Sequence, residues 1–346
     1  MSRTLSLRRI GLLVAALAVS ASAAFAGEGA YTPQPAGAPP SQLREFRFTY
    51  HAEIPVKNRS AHKVEAWVPL PRDDSLQQVS DLKTDTPAHV RIVEQSKFHN
   101  RLAYIDAEAP LAASIPVTVS FVVTRHEEAP SMIIAARSLP EPTDGAFADF
   151  LGPDRMVPLG GRIAAVSTNL EEAGATPLEQ ARVIYQYVTE VMKYDKSGQG
   201  WGRGDAIYAC DVRRGNCTDF HSLFIALARA RGIPARFTIG FPLGNAKSGT
   251  IPGYHCWAEF YSGGEWVPID ASEAWKHPER HDYYFGRLDA DRVAFTMGRD
   301  LVLDPHQDGE PVNFLVYPYV EVDGAALPQG EIETKFGYED IRDVRK

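Results

Sequence analysis

The sequence predicts an α+β protein in which an all-β region precedes a mixed domain of helices and antiparallel sheet. Three observations carry this. Apolar residues alternate with period two in several runs between Leu43 and Glu128. From Gly161 onward the spacing changes to three and four. Between these regions lies a stretch rich in proline and glycine, from Leu139-Pro140-Glu141-Pro142 to Gly161. The expected organisation is a leader over 1–26, a flexible lead-in over 27–42 and a β-sandwich-like domain over 43–130. A connection over 131–160, a second domain over 161–323 and a charged, loosely held tail over 324–346 follow.

The leader reading rests on Arg3, Arg8 and Arg9 ahead of an apolar run from Ile10 to Val19, then Ala24-Phe25-Ala26 as a small-residue cleavage site. That pattern is a secretory signal peptide, too short for a bilayer span. It predicts export to the periplasm or the extracellular space. No later stretch has the ~20 apolar residues a membrane span needs, so no span is expected after cleavage. Removing the leader takes away three arginines and no acid, leaving 33 basic against 44 acidic side chains, a net charge of −11. Clustered positive charge is missing, which excludes a nucleic-acid footprint. At 44% hydrophobic residues, the chain can bury a sizeable core.

In the β region, Phe46, Phe48 and Tyr50 alternate with polar residues. So do Val64 and Ala66 before Trp67-Val68, and Ile115, Val117, Val119, Phe121 and Val123. His51, His62, His89, His99 and His126 are scattered, without the convergent spacing of a metal site. No metal or other cofactor is expected.

In the second domain a helix is predicted from Gly161 to Glu172. A second opens on Thr176, Pro177 and Glu179, an N-cap, a first-turn proline and a capping-box acid. Asp195 to Tyr208 reads as a Gly-rich loop containing Trp201. It leads to Cys210, also placed in a loop, and forms one wall of a cleft. A third helix follows Gly215-Asn216, with Phe220, Leu223, Phe224, Leu227 and Ala228 on one apolar face and Gly232, Ile233 and Pro234 as its stop. Cys217 falls in its first turn, where free N–H groups and the helix dipole favour a thiolate. Ala235, Phe237 and Ile239 then form a short strand, and Phe241 to Gly253 a loop.

Tyr254 to Tyr261 and Glu265 to Asp270 flank Ser262-Gly263-Gly264, a hairpin signal. A turn centred on Ser262-Gly263 would set His255 directly opposite Asp270, within reach of an imidazole–carboxylate hydrogen bond. Cys256 would point to the opposite face. Cysteine, histidine and aspartate in this order are the three parts of an activated thiol nucleophile. Cys210, Cys217 and Cys256 are odd in number, so at least one thiol is free. A Cys210–Cys256 bridge and two reduced thiols both remain open.

The segments GNCTDFHSLFIALARARGIPAR, YHCWAEFY and WVPIDAS together resemble the core of the transglutaminase-like superfamily, over roughly Thr176 to Trp275. The order of elements is similar to secreted bacterial members. The resemblance implies a papain-related fold with a Cys–His–Asp triad at Cys217, His255 and Asp270. It also implies acyl transfer on a protein or peptide substrate. The superfamily includes cross-linkers, peptidases, other amide hydrolases and proteins without catalysis, so hydrolysis through a Cys217 thioester is the expectation and transamidation the alternative. The oxyanion would be held by the Cys217 N–H and one further donor. Trp201, Tyr208, Tyr254 and Trp257 are the candidate substrate-binding residues. Two other readings were weighed. A metal site at Cys217 and His221 would need His255 and Cys256 on one face, which strand alternation forbids. A non-catalytic peptide-binding module would leave the complete set of three without a purpose. The sequence leaves the oligomeric state open.

Overall fold

The computed structural model describes residues 42–58, 60–129, 145, 147–170 and 176–342. The leader, and most of the lead-in and of the Pro/Gly-rich connection, lie outside these residues. Six strands come first: β1 (Leu43–Pro55), β2 (Lys63–Pro69), β3 (Gln77–Asp85), β4 (His89–Glu94), β5 (Arg101–Glu108) and β6 (Ser114–His126). The helical part holds α1 (Ala148–Leu151), α2 (Arg162–Asn169), α3 (Pro177–Val191), the short β7 (Lys193–Tyr194), α4 (Ala206–Val212), the short β8 (Arg214–Gly215) and α5 (Cys217–Ala230). There follow β9 (Ala235–Pro242), β10 (Ser248–Ile251), β11 (His255–Ser262), β12 (Glu265–Ile269), α6 (Ala271–Lys276) and β13 (Arg292–Met297). The last strands are β14 (Tyr319–Val322), β15 (Ala325–Ala326) and β16 (Glu333–Arg342).

The period-two runs become strands buried on alternate residues. Phe46, Phe48, Tyr50, Ala52 and Ile54 of β1 are buried, and they face Val123, Phe121, Val119, Val117 and Ile115 of β6. Two five-stranded sheets, β10-β16-β1-β6-β3 and β15-β14-β2-β5-β4, share one apolar core. This region is not made from the first third of the chain alone. The segment read as a loose tail over 324–346 supplies β16, which lies between β1 and β10 and buries Phe336 and Tyr338. Strand β14, placed by the sequence in the second domain, pairs with β2. The loop expected from Phe241 to Gly253 contains β10, which pairs with β16. Tail and loop escaped sequence reading because strand pairing across hundreds of residues leaves no local pattern.

A separate four-stranded sheet has the order β12-β11-β9-β13. It joins the sandwich through an aromatic cluster in which Phe48 contacts Phe121, Phe241, Phe295 and Phe336. Helix α5 packs on β9 and β11, with α2, α3, α4 and α6 around it. All its residues except the last, Ala230, are buried. A single apolar face was expected, but the helix is enclosed on every side. Its polar residues Asp219, His221, Ser222 and Arg229 are hydrogen-bonded inside the protein instead of facing water. Its stop is the predicted one: Gly232 has φ +74°, its N–H donates to Arg229 O, and Ile233 N–H donates to Ala228 O. The capping box of α3 also forms as read, with Thr176 accepting from Glu179 N–H. Cys210 and Tyr208, placed in a loop, sit on α4, which Asp205 caps through Ile207 and Tyr208 N–H. All three cysteines are free.

Candidate active site

Asn216 caps α5, its side chain accepting from Thr218 N–H, so Cys217 stands at the first helical position. The backbone N–H of a residue there has no intrahelical acceptor, and the helix dipole is positive. Asp219, three residues beyond the cap, accepts from Asn216 N–H at 3.0 Å and completes a capping box. The same carboxylate accepts from Gly202 and Gly204 N–H at 2.7 and 3.0 Å. It thereby pins the Gly-rich loop to the start of α5. Burial drives its pKa up to about 7 against the pull of those N–H groups. The Asn-x-x-Asp spacing at 216–219 was the signal in the sequence for this role, and only its first member was read.

The hairpin turn lies one position later than expected. Gly263 and Gly264 are its central pair, so Ser262 faces Glu265 and Ala258 faces Ile269. Both glycines have positive φ, at 62° and 95°, which is why the turn settles on them. His255 therefore does not lie opposite Asp270. The register is displaced by two residues, which preserves the face on which each side chain lies. Asp270 ends up just past β12 as the cap of α6. There its carboxylate meets the His255 ring, with Nε2 and Oδ2 2.6 Å apart.

Five groups share the Asp270 carboxylate, one of them the His221 ring, whose Nε2 lies 3.5 Å from Oδ1. Oδ1 accepts from Ser272 Oγ and Glu273 N–H, each at 3.0 Å. Oδ2 accepts from His255 and from Arg292 Nη1 at 3.0 Å. Arg292 is 3% exposed, lies over the Trp257 ring and also donates to Asp289 at 3.3 Å. Nothing local in the sequence marked Arg292, which reaches the site only because β13 folds back beside β9. Burial would raise the Asp270 pKa, but the charges of His255 and Arg292 and the hydrogen bonds from His255 and His221 together hold the carboxyl well below its usual range. Burial would likewise lower the His255 pKa. The Asp270 carboxylate, and after it the Cys217 sulfur, raise it to about 10.

Because Nε2 faces Asp270, the Nδ1 side of the His255 ring is left for Cys217. Burial pushes the Cys217 thiol up, while hydrogen bonds from Cys256 and His255 and the charge on His255 bring it well below the ordinary thiol range. The three residues can thus form a thiolate–imidazolium pair oriented by a carboxylate. Cys217 is 0% and His255 5% exposed, so the reacting groups are covered in this conformation.

The four aromatic candidates divide. Trp201 and Tyr208 are half-buried on the Gly-rich loop and the helix after it. Trp257 is 1% exposed beneath Arg292. Tyr254 is 5% exposed, accepts from Asn216 Nδ2 at 2.9 Å and packs on Phe314 and Tyr317. These two belong to the apolar core.

Fold and site geometry are of the transglutaminase-like type. Residues 164–271 match the family model of the transglutaminase-like superfamily. An uncharacterized protein of Haemophilus influenzae is 28% identical over 326 residues, covering 83% of this chain and 88% of its own. The crystal structure of a "Putative Cysteine Protease" from Cytophaga hutchinsonii superposes with a TM-score of 0.62 at 16% identity, over 88% of this chain and 94% of that one. At that identity the likeness concerns the fold.

Proposed function

We propose that the protein hydrolyses a peptide or related amide bond through a Cys217 thioester. The observation that carries this is Cys217 at a helix start together with the His255 imidazole held at 2.6 Å by the buried Asp270 carboxylate. Cys217 attacks the carbonyl carbon, and its own N–H is placed to meet the oxyanion. The His255 imidazolium gives its proton to the departing amine. Water, activated by the now neutral imidazole, then releases the acid and restores the thiolate. Asp270 keeps the Nε2 proton in place throughout, and so fixes which nitrogen faces the sulfur.

Water is favoured over an amine as acceptor because selecting a dilute amine requires a shaped, water-excluding channel. Three of the aromatic residues that could line one are engaged elsewhere. Trp257 and Tyr254 are core, and Trp266 stacks under Arg236 at 4.1 Å and against Phe150. The leader pattern supports action outside the cytoplasm. The test is to incubate the leaderless protein with casein or an envelope-protein mixture and a fluorescent primary amine. New N-termini that vanish in Cys217→Ala support hydrolysis. Cys217-dependent incorporation of the amine without new termini would establish transamidation instead.

A further inference from the structure

We propose that the junction of the sandwich with the four-stranded sheet holds a site for a small free oxyanion, a carboxylate or a sulfate- or phosphate-type ion, with Arg125 as its principal donor. The site lies apart from Cys217 and stands independently of the proposed hydrolysis. A cavity of about 310 Å³ opens there, at the small end of the range for ligand pockets. Arg72, Arg125 and Glu128 line it from the sandwich side, and Arg236, Trp257 and Glu259 from the sheet. Glu259 is four residues beyond His255 on the same face of β11, roughly 13 Å along the strand.

The residue that points to a ligand is Arg125. It is 2% exposed, and among the described residues its guanidinium makes a single hydrogen bond, from Nη2 to Glu128 Oε2 at 3.3 Å. Its Nε is buried and has no partner among them. Arg44, Arg229 and Arg299 are also buried, and each makes at least three hydrogen bonds. A buried guanidinium carries five N–H donors and strongly destabilises a fold unless acceptors meet them. The nearby acceptor Glu259 is already taken, forked by Arg236 and bonded to Thr238 at 3.1 Å. The planar fork of Arg125 matches the paired oxygens of a carboxylate or of a sulfate- or phosphate-type ion.

Charge in the cavity favours the same class of ligand. Glu128 is surrounded by Arg125 of β6, Arg236 of β9, Glu259 of β11, and Arg72 and Asp74 between β2 and β3. Burial, and after it the charge of Glu259, push the Glu128 pKa up to about 8. Below that value Glu128 is neutral, and three guanidinium groups face only the carboxylates of Asp74 and Glu259. Arg236 is committed to Glu259, and Arg72 lies 3.5 Å from Asp74. The excess positive charge therefore rests on Arg125, the same group whose donors lack acceptors. An anion supplies both the acceptor and the charge, whereas a cation supplies neither.

The experiment melts the leaderless protein in rising acetate and, separately, rising sulfate, against chloride at matched ionic strength and pH 7. In wild type the melting temperature is expected to rise and then saturate in at least one of the two anions. Saturation in acetate alone marks a carboxylate site, in sulfate alone a tetrahedral one, and in both a site for either. Arg125→Gln should weaken the apparent affinity at least about tenfold. Should that variant not fold, Arg125→Lys, which keeps the charge and loses the fork, takes its place with the same expected direction. General stabilisation by salt does not saturate and is common to all variants. A rise that never saturates, or that saturates alike in wild type and the Arg125 variant, overturns the site. From pH 7 to 9 the wild-type affinity should fall at least about tenfold as Glu128 ionises, and Glu128→Gln should hold it constant. A wild-type affinity that stays level over that range, or an equal fall in Glu128→Gln, overturns the charge balance on which the site rests.

Discussion

Asp270 has a buried cation on each neighbour it orients: the His255 imidazolium and the Arg292 guanidinium both reach Oδ2. Asp270→Asn removes the charge and offers an N–H where the ring already presents one. In a well-studied serine triad the same replacement costs about 10⁴ in rate, and a loss of that order is expected here in Cys217-dependent amide hydrolysis. The raised His255 pKa gives a second readout. A histidine held at about 10 in the fold and titrating near 6.5 when unfolded stabilises fully below the lower value. That contribution disappears as pH rises through 10. The depressed Asp270 carboxyl acts the other way, its stabilisation lost as pH falls below the usual carboxylate range. The difference in urea midpoint between wild type and Asp270→Asn should therefore be widest between about pH 5 and 6.5. It should narrow toward pH 10 and above. A difference that widens toward alkaline pH would show that His255 is not held by Asp270.

At the level of elements, β13 brings Arg292 to the site by running unusually close to β9. The pairing shifts register between Ala294 and Thr296, and a Cβ on Gly240 would overlap the Val293 carbonyl oxygen. Gly240 is also the residue paired with His255. Gly240→Ala must push backbone against backbone, which cannot be relieved by a rotamer change. It is expected to cost about 2 kcal/mol or more, seen as a lower urea midpoint, and to slow Cys217 alkylation by moving β11 from α5. Wild-type stability in this variant would mean that β13 can move away freely. The elements that sequence reading reached were those with local signals: the α3 capping box, the Gly232 stop and the Cys217 helix start. The Cys217, His255 and Asp270 positions were legible because each belongs to such a signal. The hairpin register failed by two residues because Ser-Gly and Gly-Gly are both acceptable turn centres, and only the Gly-Gly pair takes positive φ at both positions without strain. Arg292, and Arg299 which ties Ser222 to the Gly204 carbonyl, could not be read, since a buried arginine is defined by partners distant in sequence.

On the scale of the whole molecule, the separate β domain and second domain expected from the change in periodicity share one continuous apolar core. Arg44 of β1, 1% exposed, joins them further through Asp340 of β16 and Asp291 next to Arg292. Thermal unfolding is expected as one transition, followed alike by far-ultraviolet circular dichroism and by tryptophan fluorescence. Two separated transitions would show that the sandwich and the α5 region fold independently. Deleting residues 333–346 removes an interior strand and should abolish folding altogether, whereas a loose tail would be dispensable.

The place of β16 also sets a clock. Strand β1 emerges from the ribosome early, but one of its two neighbours is made roughly 290 residues later, about 15–60 s at 5–20 residues per second. During that interval Phe48 and Tyr50 lack the Phe336 ring that covers them. The nascent chain therefore carries its cysteine, histidine and aspartate well before it has the frame that aligns them. On the proposed function, the thiol would gain its aligned partners only when the last strand closes the sheet.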